Sequence, residues 1–202
     1  MQAFTKFHVD QAGGNTQFAR YLEGLVKSTG LVPLDAILVV GDNDDDPDNA
    51  FKEIQKQIRE ASKAVAIAVP NRPFELAAKD KNSIATVVMM IPFDPQGNPL
   101  PGCLESVLYD AAHPRVANIR HYVDEFRDRV AESDWKASRH DKMRFRSLIA
   151  ASYEDPHLSV SYAVHTSKEI VDLGHGSLAG IIQFLAGFEV WLTQERSRIF
   201  GG

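Results

Sequence analysis

Cysteine is almost missing from this chain: Cys103 stands alone among 202 residues. That excludes an intrachain disulfide and a cysteine-rich zinc site, and it fits a reducing compartment such as the cytoplasm. The amino terminus, MQAFTKFHVDQAGG, has no basic start followed by an apolar core, so no leader is expected. Nor does any segment approach an apolar run of about 18 residues, which points to a soluble chain away from membranes. Positive charge is not in excess either. A net charge of -5 disfavours indiscriminate binding to nucleic acid, although a local basic patch can survive within an acidic total. No internal repeat is present, and 44% hydrophobic with 24% charged residues gives no sign of extended disorder. A chain of this length holds one well-buried core more readily than several domains.

What the chain has in concentration is aspartate. LDAILVVGDNDDDPDNAFKEI, residues 34 to 54, runs an apolar stretch into Asp42, Asp44, Asp45, Asp46 and Asp48. Carboxylates this close repel one another unless a positive charge or water lies among them.

Around that cluster the periodicity alternates between strand and helix. Phe4 to Val9 alternates as a strand and Gly13 and Gly14 break it; Asn15 or Thr16 could cap a first helix. Phe18, Tyr21, Leu22, Leu25 and Val26 share one face of that helix, with Gly30 at the exit. Residues 35 to 40 supply a second strand, whose continuous ILVV predicts burial on both sheet faces. Asp46 before Pro47 signals a helix start, and Phe51, Ile54 and Ile58 form its inward stripe. VAIAVP (65 to 70) and TVVMMIP (86 to 92) read as further strands, each closed by proline. Such alternation implies a mostly parallel sheet flanked by helices. After the proline- and glycine-rich joint at 93 to 102 the pattern turns helical. Ile119, Tyr122, Val123, Phe126 and Val130 make an amphipathic stripe, and weaker helical patterns cover 104 to 111, 142 to 151 and 178 to 191.

The acids can then be placed. Asp42 falls just beyond the carboxyl end of the second strand, the edge at which open parallel sheets form ligand crevices. If extended alternation continues, Asp42 and Asp44 point the same way and offer oxygen ligands that suit Mg2+ or Mn2+. Asp46 reads as a cap, Asp48 as a first-turn acid complementing the helix dipole, and Asp45 as solvent-facing. DNDDDPDNAFKE has acids at EF-hand positions one, three, five and twelve, but Pro47 replaces the turn glycine and a strand precedes it instead of a helix.

Glu105 follows a Pro-x-Gly approach at a helix start, where it either adds a ligand or compensates the dipole. Arg139, Lys142, Arg144 and Arg146 form either a phosphate-contacting set or a solvated helix face. HGSLAG (175 to 180) places Ser177 near His175 without the Gly-x-Ser-x-Gly elbow, so a serine hydrolase is not indicated. Scattered histidines, among them His121 and His140, have no metal-binding spacing.

Strand, glycine turn, helix, and an apolar strand ending in Asp42-Asn43-Asp44 together resemble the Toprim fold of topoisomerases, primases and overcoming-lysogenization-defect nucleases. VVGDNDDD, IPFDPQGNPLPGCLESVL and DKMRFRSLIAASYEDP resemble an uncharacterised group of Toprim-related bacterial proteins. The resemblance spans about residues 4 to 190, its sharpest pieces being the Asp-x-Asp and Gly-x-Leu-Glu segments. It implies a single Toprim-like α/β domain over 1–202, with a sheet core at 1–92 and a mainly helical extension at 103–195. It also implies Mg2+ or Mn2+ on Asp42 and Asp44, and a nucleic-acid or phosphorylated substrate near Lys142, Arg144 and Arg146.

Toprim enzymes use a glutamate after the first strand as acid or base. Gln11 stands near that place, so Asp10 or Glu105 would have to move the proton. Two functions are compatible with this pattern: a metal-dependent nuclease or phosphotransfer enzyme, and a catalytically degenerate binding module of a larger assembly. A receiver fold would need a lysine at a later strand end, which TVVMMIP lacks.

Overall fold

The computed structural model describes residues 18–28, 34–80, 83–130, 134–166 and 170–201. The expected first strand at 4 to 9, Asp10, Gln11, Gly13, Gly14, the Asn15 or Thr16 cap and Gly30 lie outside the described residues.

In chain order the elements are α1 (Phe18–Ser28), β1 (Ala36–Asp42), α2 (Pro47–Ala61), β2 (Ala85–Ile91), α3 (Leu104–Asp110), a 3-10 turn (Pro114–Val116), α4 (Ala117–Val130), α5 (Ala137–Ser152), α6 (Val160–Thr166) and α7 (Gly176–Phe200). They cluster into two compact units that interleave along the sequence. The first unit takes residues 1–41, 48–90 and 184–202; the second takes 42–47 and 91–183.

The first unit is built on the parallel pair β1–β2. Alternation sorts its side chains by face. Ile37, Val39, Val88 and Met90 join Leu22 of α1 and Phe51, Ile54 and Ile58 of α2 in one cluster. Ala36, Leu38, Ala85 and Val87 meet Phe184, Phe188, Trp191 and Leu192 of α7 in another. Each fully buried Ile, Val or Met contributes about 1.5–3 kcal/mol. Every residue of β2 is buried, which is the signature of a strand covered on both sides. β1 departs from its expected full burial at Val40, which is 51% exposed. Gly41 has a packing reason: a Cβ there would overlap Ile54 Cδ1 of α2.

The expected strand at 65 to 70 contracts to one parallel bridge, Ile67 to Ile84. Its end is diverted from the ladder at Pro70, whose carbonyl accepts from Gln55 Nε2 at 2.8 Å.

α7 is longer than the pattern at 178 to 191 predicts. Over 25 residues it is long and apolar enough to cross a membrane by length and composition, with a best-window hydropathy of 1.3. In the first unit one side of it packs on the sheet through Phe184, Phe188, Trp191 and Leu192, whereas only 11% of the apolar window is buried and Leu185 and Val190 are exposed. Arg196 ties its end down by donating to Asp35 O at 2.5 Å and Ser83 O at 2.9 Å.

In the second unit α5 packs against α3, α4 and α6. Phe145, Leu148 and Ile149 are its buried face. The expected inward stripe of α4 is largely outward: Val123 is buried, whereas Tyr122, Phe126 and Val130 are 67%, 50% and 43% exposed. Helical spacing shows that these residues share a side but not whether anything covers it.

One buried amide organises the acid loop. Asn43 is fully buried, and its N–H donates to Ile91 O at 2.8 Å. Its Nδ2 donates to Pro92 O at 2.5 Å and Leu100 O at 2.7 Å. These two carbonyls flank a tight hairpin closed by Leu100 N–H to Pro92 O at 2.9 Å, so the side chain clamps the mouth of the loop at 93 to 102. Asn43→Ala leaves both part-buried carbonyls without that donor and is expected to cost about 1–3 kcal/mol. Asn43→Asp should cost more, because it sets a carboxylate against two carbonyl oxygens. Urea unfolding checks this, and an alanine variant as stable as the parent would contradict it.

Candidate functional site

Asp42 is the last residue of β1, and Asp44 comes directly after the buried Asn43. Asp44 has φ +47, and its carbonyl accepts from Gly102 N–H at 2.6 Å in an antiparallel bridge. Aspartate tolerates this left-handed conformation better than most residues. Gly102 itself has φ +137, and a Cβ there would come within 2.8 Å of Ser106 Oγ. That hydroxyl accepts from Cys103 N–H at 2.9 Å, ordering the start of α3. Glycine is therefore required where the chain turns from the hairpin into α3.

The two acids do converge. Lys142 Nζ, from the second turn of α5, lies 2.9 Å from Asp44 Oδ1 and 3.7 Å from Asp42 Oδ2. Asp42 Oδ1 also accepts from Leu104 N–H at 2.8 Å, at the first residue of α3. One ammonium thus sits at the position that two carboxylates share, which answers the repulsion posed by the sequence.

The balance of charge around it is uneven. Burial pushes the Asp42 carboxyl above its ordinary 3.8; Leu104 N–H and Lys142 offset this in part, while Glu105 and Asp44 add to it. For Lys142, burial alone would lower the pKa, but the hydrogen bond and charge of Asp44, with Asp42 behind it, raise it overall. Its ammonium is therefore charged at neutral pH. Cys103 is fully buried, and burial pushes its thiol up to about 11, so it is neither a thiolate ligand nor a nucleophile.

The remaining sequence-predicted residues separate. Glu105 lies in the first turn of α3, partly buried and close enough to Asp42 for its charge to be felt there. Arg144 does not join the site. It binds Asp124 at 2.8 Å and Asp141 at 3.2 Å, and stacks over Tyr109 with its guanidinium carbon 4.1 Å from the ring centre. The Tyr109 hydroxyl donates to the same Asp124 oxygen at 3.0 Å, and burial together with that bond pushes its pKa up to about 12. Arg144 is spent on holding α3, α4 and α5 together. Arg146 is exposed, on the same face of α5 as Lys142 and Arg139. Asp45 does not simply face solvent: its carboxylate accepts from Ser138 N–H at 3.0 Å, binding the acid loop to the start of α5. His175 Nδ1 and Ser177 Oγ are 2.9 Å apart, but that hydroxyl also donates to Val107 O at 3.2 Å in a turn.

Among the described residues no group of three or more His, Cys, Asp or Glu side chains is arranged around a single metal position. Carboxylate oxygens nonetheless suit a hard cation, and Asp42 and Asp44 already direct theirs at one cation. Three residues escaped the sequence reading. Asn43 entered it only as the middle residue of Asp-x-Asp, and Trp135 and Lys136 were given no role. The only signal for the latter pair was an aromatic residue directly ahead of the basic face of α5.

The family described as "Protein of unknown function (DUF3226)" matches residues 1–189, and the chain belongs to it. No curated protein and no solved structure matches the chain.

The raised Asp42 pKa fixes the sign of a pH effect. A carboxyl raised by folding contributes stability that is complete below about 3.8 and is lost as pH rises through the folded value. Asp42→Asn does not titrate and keeps an oxygen for Leu104 N–H. Its stability relative to the parent should therefore grow between pH 3.8 and neutrality when no divalent cation is present. Thermal unfolding across that range in EDTA tests this; a difference that stays flat or shrinks would contradict it.

Proposed function

We propose that this DUF3226 chain is a Toprim-like protein that takes Mg2+ or Mn2+ at Asp42 and Asp44 and acts on, or recognises, a phosphodiester or phosphorylated substrate. The observation that carries the reading is the convergence of both carboxylates on one cation, the Lys142 ammonium. Local charge supports it. Asp42, Asp44 and Glu105 carry three negative charges against one positive, and the surplus is what a divalent ion neutralises.

Asp42 and Asp44 would hold the ion, which when bound supplies charge neutralisation at a phosphoryl group and a more acidic water. The chain's own residues do the rest. Lys142 stays beside the acids as a compact positive charge suited to a phosphate oxygen. Glu105, in the first turn of α3, is the described carboxyl available to move a proton. Asp10, the other acid assigned that role, lies outside the described residues.

A second reading has its own support. Lys142 already pairs with both acids, and no three-donor group is formed among the described residues. In a catalytically degenerate module that lysine would be the permanent counter-ion, and the site would bind without turnover.

The variant Lys142→Met separates the two readings. Removing the ammonium leaves two acids facing each other, and a partly exposed, solvent-screened pair of this kind is worth about 0.2–1 kcal/mol, or roughly 1–3 °C in Tm. Calorimetry should show heats for Mg2+ or Mn2+ on the native chain, none on the Asp42→Asn, Asp44→Asn double variant, and tighter binding on Lys142→Met, whose lost stability the ion restores. Metal-dependent cleavage of labelled single-stranded or duplex DNA or RNA, lost in both variants, marks the enzyme; binding without turnover marks the module. Identical heats on the native chain and the double variant would end the proposal.

A further inference from the structure

Beside Lys142 the second unit carries an open depression of about 560 Å³, lined by Asp134, Trp135, Lys136, Ser138, Arg139 and Lys142. This volume is in the range of small-molecule sites, about 300–1,000 Å³. Lys142, at one edge, is held by Asp42 and Asp44; the rest of the lining sets Lys136, Arg139 and an indole against one carboxylate, Asp134, in a chain whose net charge is -5. Elsewhere on α5 a cation has been captured, since Arg144 is held by Asp124 and Asp141. Among the described residues neither Lys136 nor Arg139 is paired with a carboxylate. Arg139 instead lies over Trp135 with its guanidinium carbon 3.9 Å from the ring centre, and it is exposed. An exposed guanidinium backed by an aromatic ring is a weakly hydrated planar platform, the kind of surface on which an unstacked base settles.

We infer that this depression receives a nucleoside phosphate, with the base on the Arg139 and Trp135 stack and the phosphate on Lys136. The inference rests on the phosphate-chemistry reading of Asp42 and Asp44, because Lys142 belongs to both places. A base inside a duplex cannot reach such a platform, so a strand would enter unpaired. Arg146 lies seven steps beyond Arg139 on the same face of α5, about 10 Å of helix, and carries exposed positive charge past the depression. That continuation favours one residue of a single strand over a free nucleotide as the source of the ligand.

The test uses the full chain in EDTA, so that divalent binding plays no part. Fluorescein-labelled ten-residue oligo-dT and oligo-dA are titrated by anisotropy at low salt, with dAMP and a duplex of equal length as competitors. The expected result is binding of the single strands, weakened about tenfold or more by Trp135→Ala and by Arg139→Ala. Lys136→Ala should flatten the dependence on salt by about one counter-ion.

If dAMP displaces the strand with an affinity matching it and Arg146→Ala changes nothing, the ligand is a free nucleotide in the same site. If dAMP competes poorly and Arg146→Ala weakens binding, it is a strand. Trp135→Ala and Arg139→Ala chains that remain folded by circular dichroism yet bind with parental affinity overturn the inference. So does a native chain that binds no single strand, or that binds duplex equally well. The Asp42→Asn, Asp44→Asn double variant separates this result from the metal proposal. If it loses the calorimetric metal signal yet keeps Trp135-dependent oligonucleotide binding, both ideas are supported; intact metal binding with no Trp135 dependence overturns this one alone.

Discussion

Asn43 turns inward and forces its neighbours outward. Its buried amide grips Pro92 O and Leu100 O while its N–H closes on Ile91 O. With that residue fixed, Asp42 at the end of β1 and Asp44 in its left-handed turn, bridged to Gly102, are presented to the same ammonium. Gly102, bridged to Asp44, brings in α3, whose first N–H binds Asp42. Asp45 fastens the same loop to the start of α5, from which Lys142 projects. The acid loop, the hairpin, α3 and α5 therefore meet through backbone bonds that an asparagine holds in register.

The electrostatics follow from that geometry. Burial makes ionisation of Asp42 costly, Leu104 N–H and Lys142 offset part of that cost, and Glu105 and Asp44 add to it. A protein that needed the loop only as a turn could use neutral residues there. Raised carboxyls occur at binding sites and in structural ion-pair networks alike, so the convergence of Asp42 and Asp44, and not the shift, distinguishes this loop. The neighbouring network of Tyr109, Asp124, Asp141 and Arg144 packs three helices, and there too burial raises a carboxyl, that of Asp141, with Arg144 offsetting it in part.

Much of this was legible in the residues. The helix from Pro47 with its Phe51, Ile54 and Ile58 stripe and the wholly buried TVVMMI strand come from local rules of capping and burial. Asp42 and Asp44 converge as expected, but through the left-handed turn at Asp44 and its bridge to Gly102 instead of continued alternation. What could not be read depended on partners distant in sequence. Lys142 and Arg144 are two residues apart on one helix, yet one meets the acid loop and the other is taken by Asp124, and helical spacing cannot tell which. The same blindness made Tyr122 and Phe126 look like core, because a shared face says nothing about what covers it. Asn43 was passed over because a carboxylate draws attention as a ligand, whereas a buried amide is recognised only when its carbonyl partners are in view.

The central claim is that Asp42 and Asp44 define a position for a divalent ion, with Lys142 beside it. Crystals of the full chain grown with Mn2+ and measured at the manganese absorption edge test it most directly. The account predicts an anomalous peak bound by carboxylate oxygens of both residues, with the Lys142 ammonium shifted from its present place between them. No peak there, and Lys142 still bridging the two acids at saturating Mn2+, would contradict it.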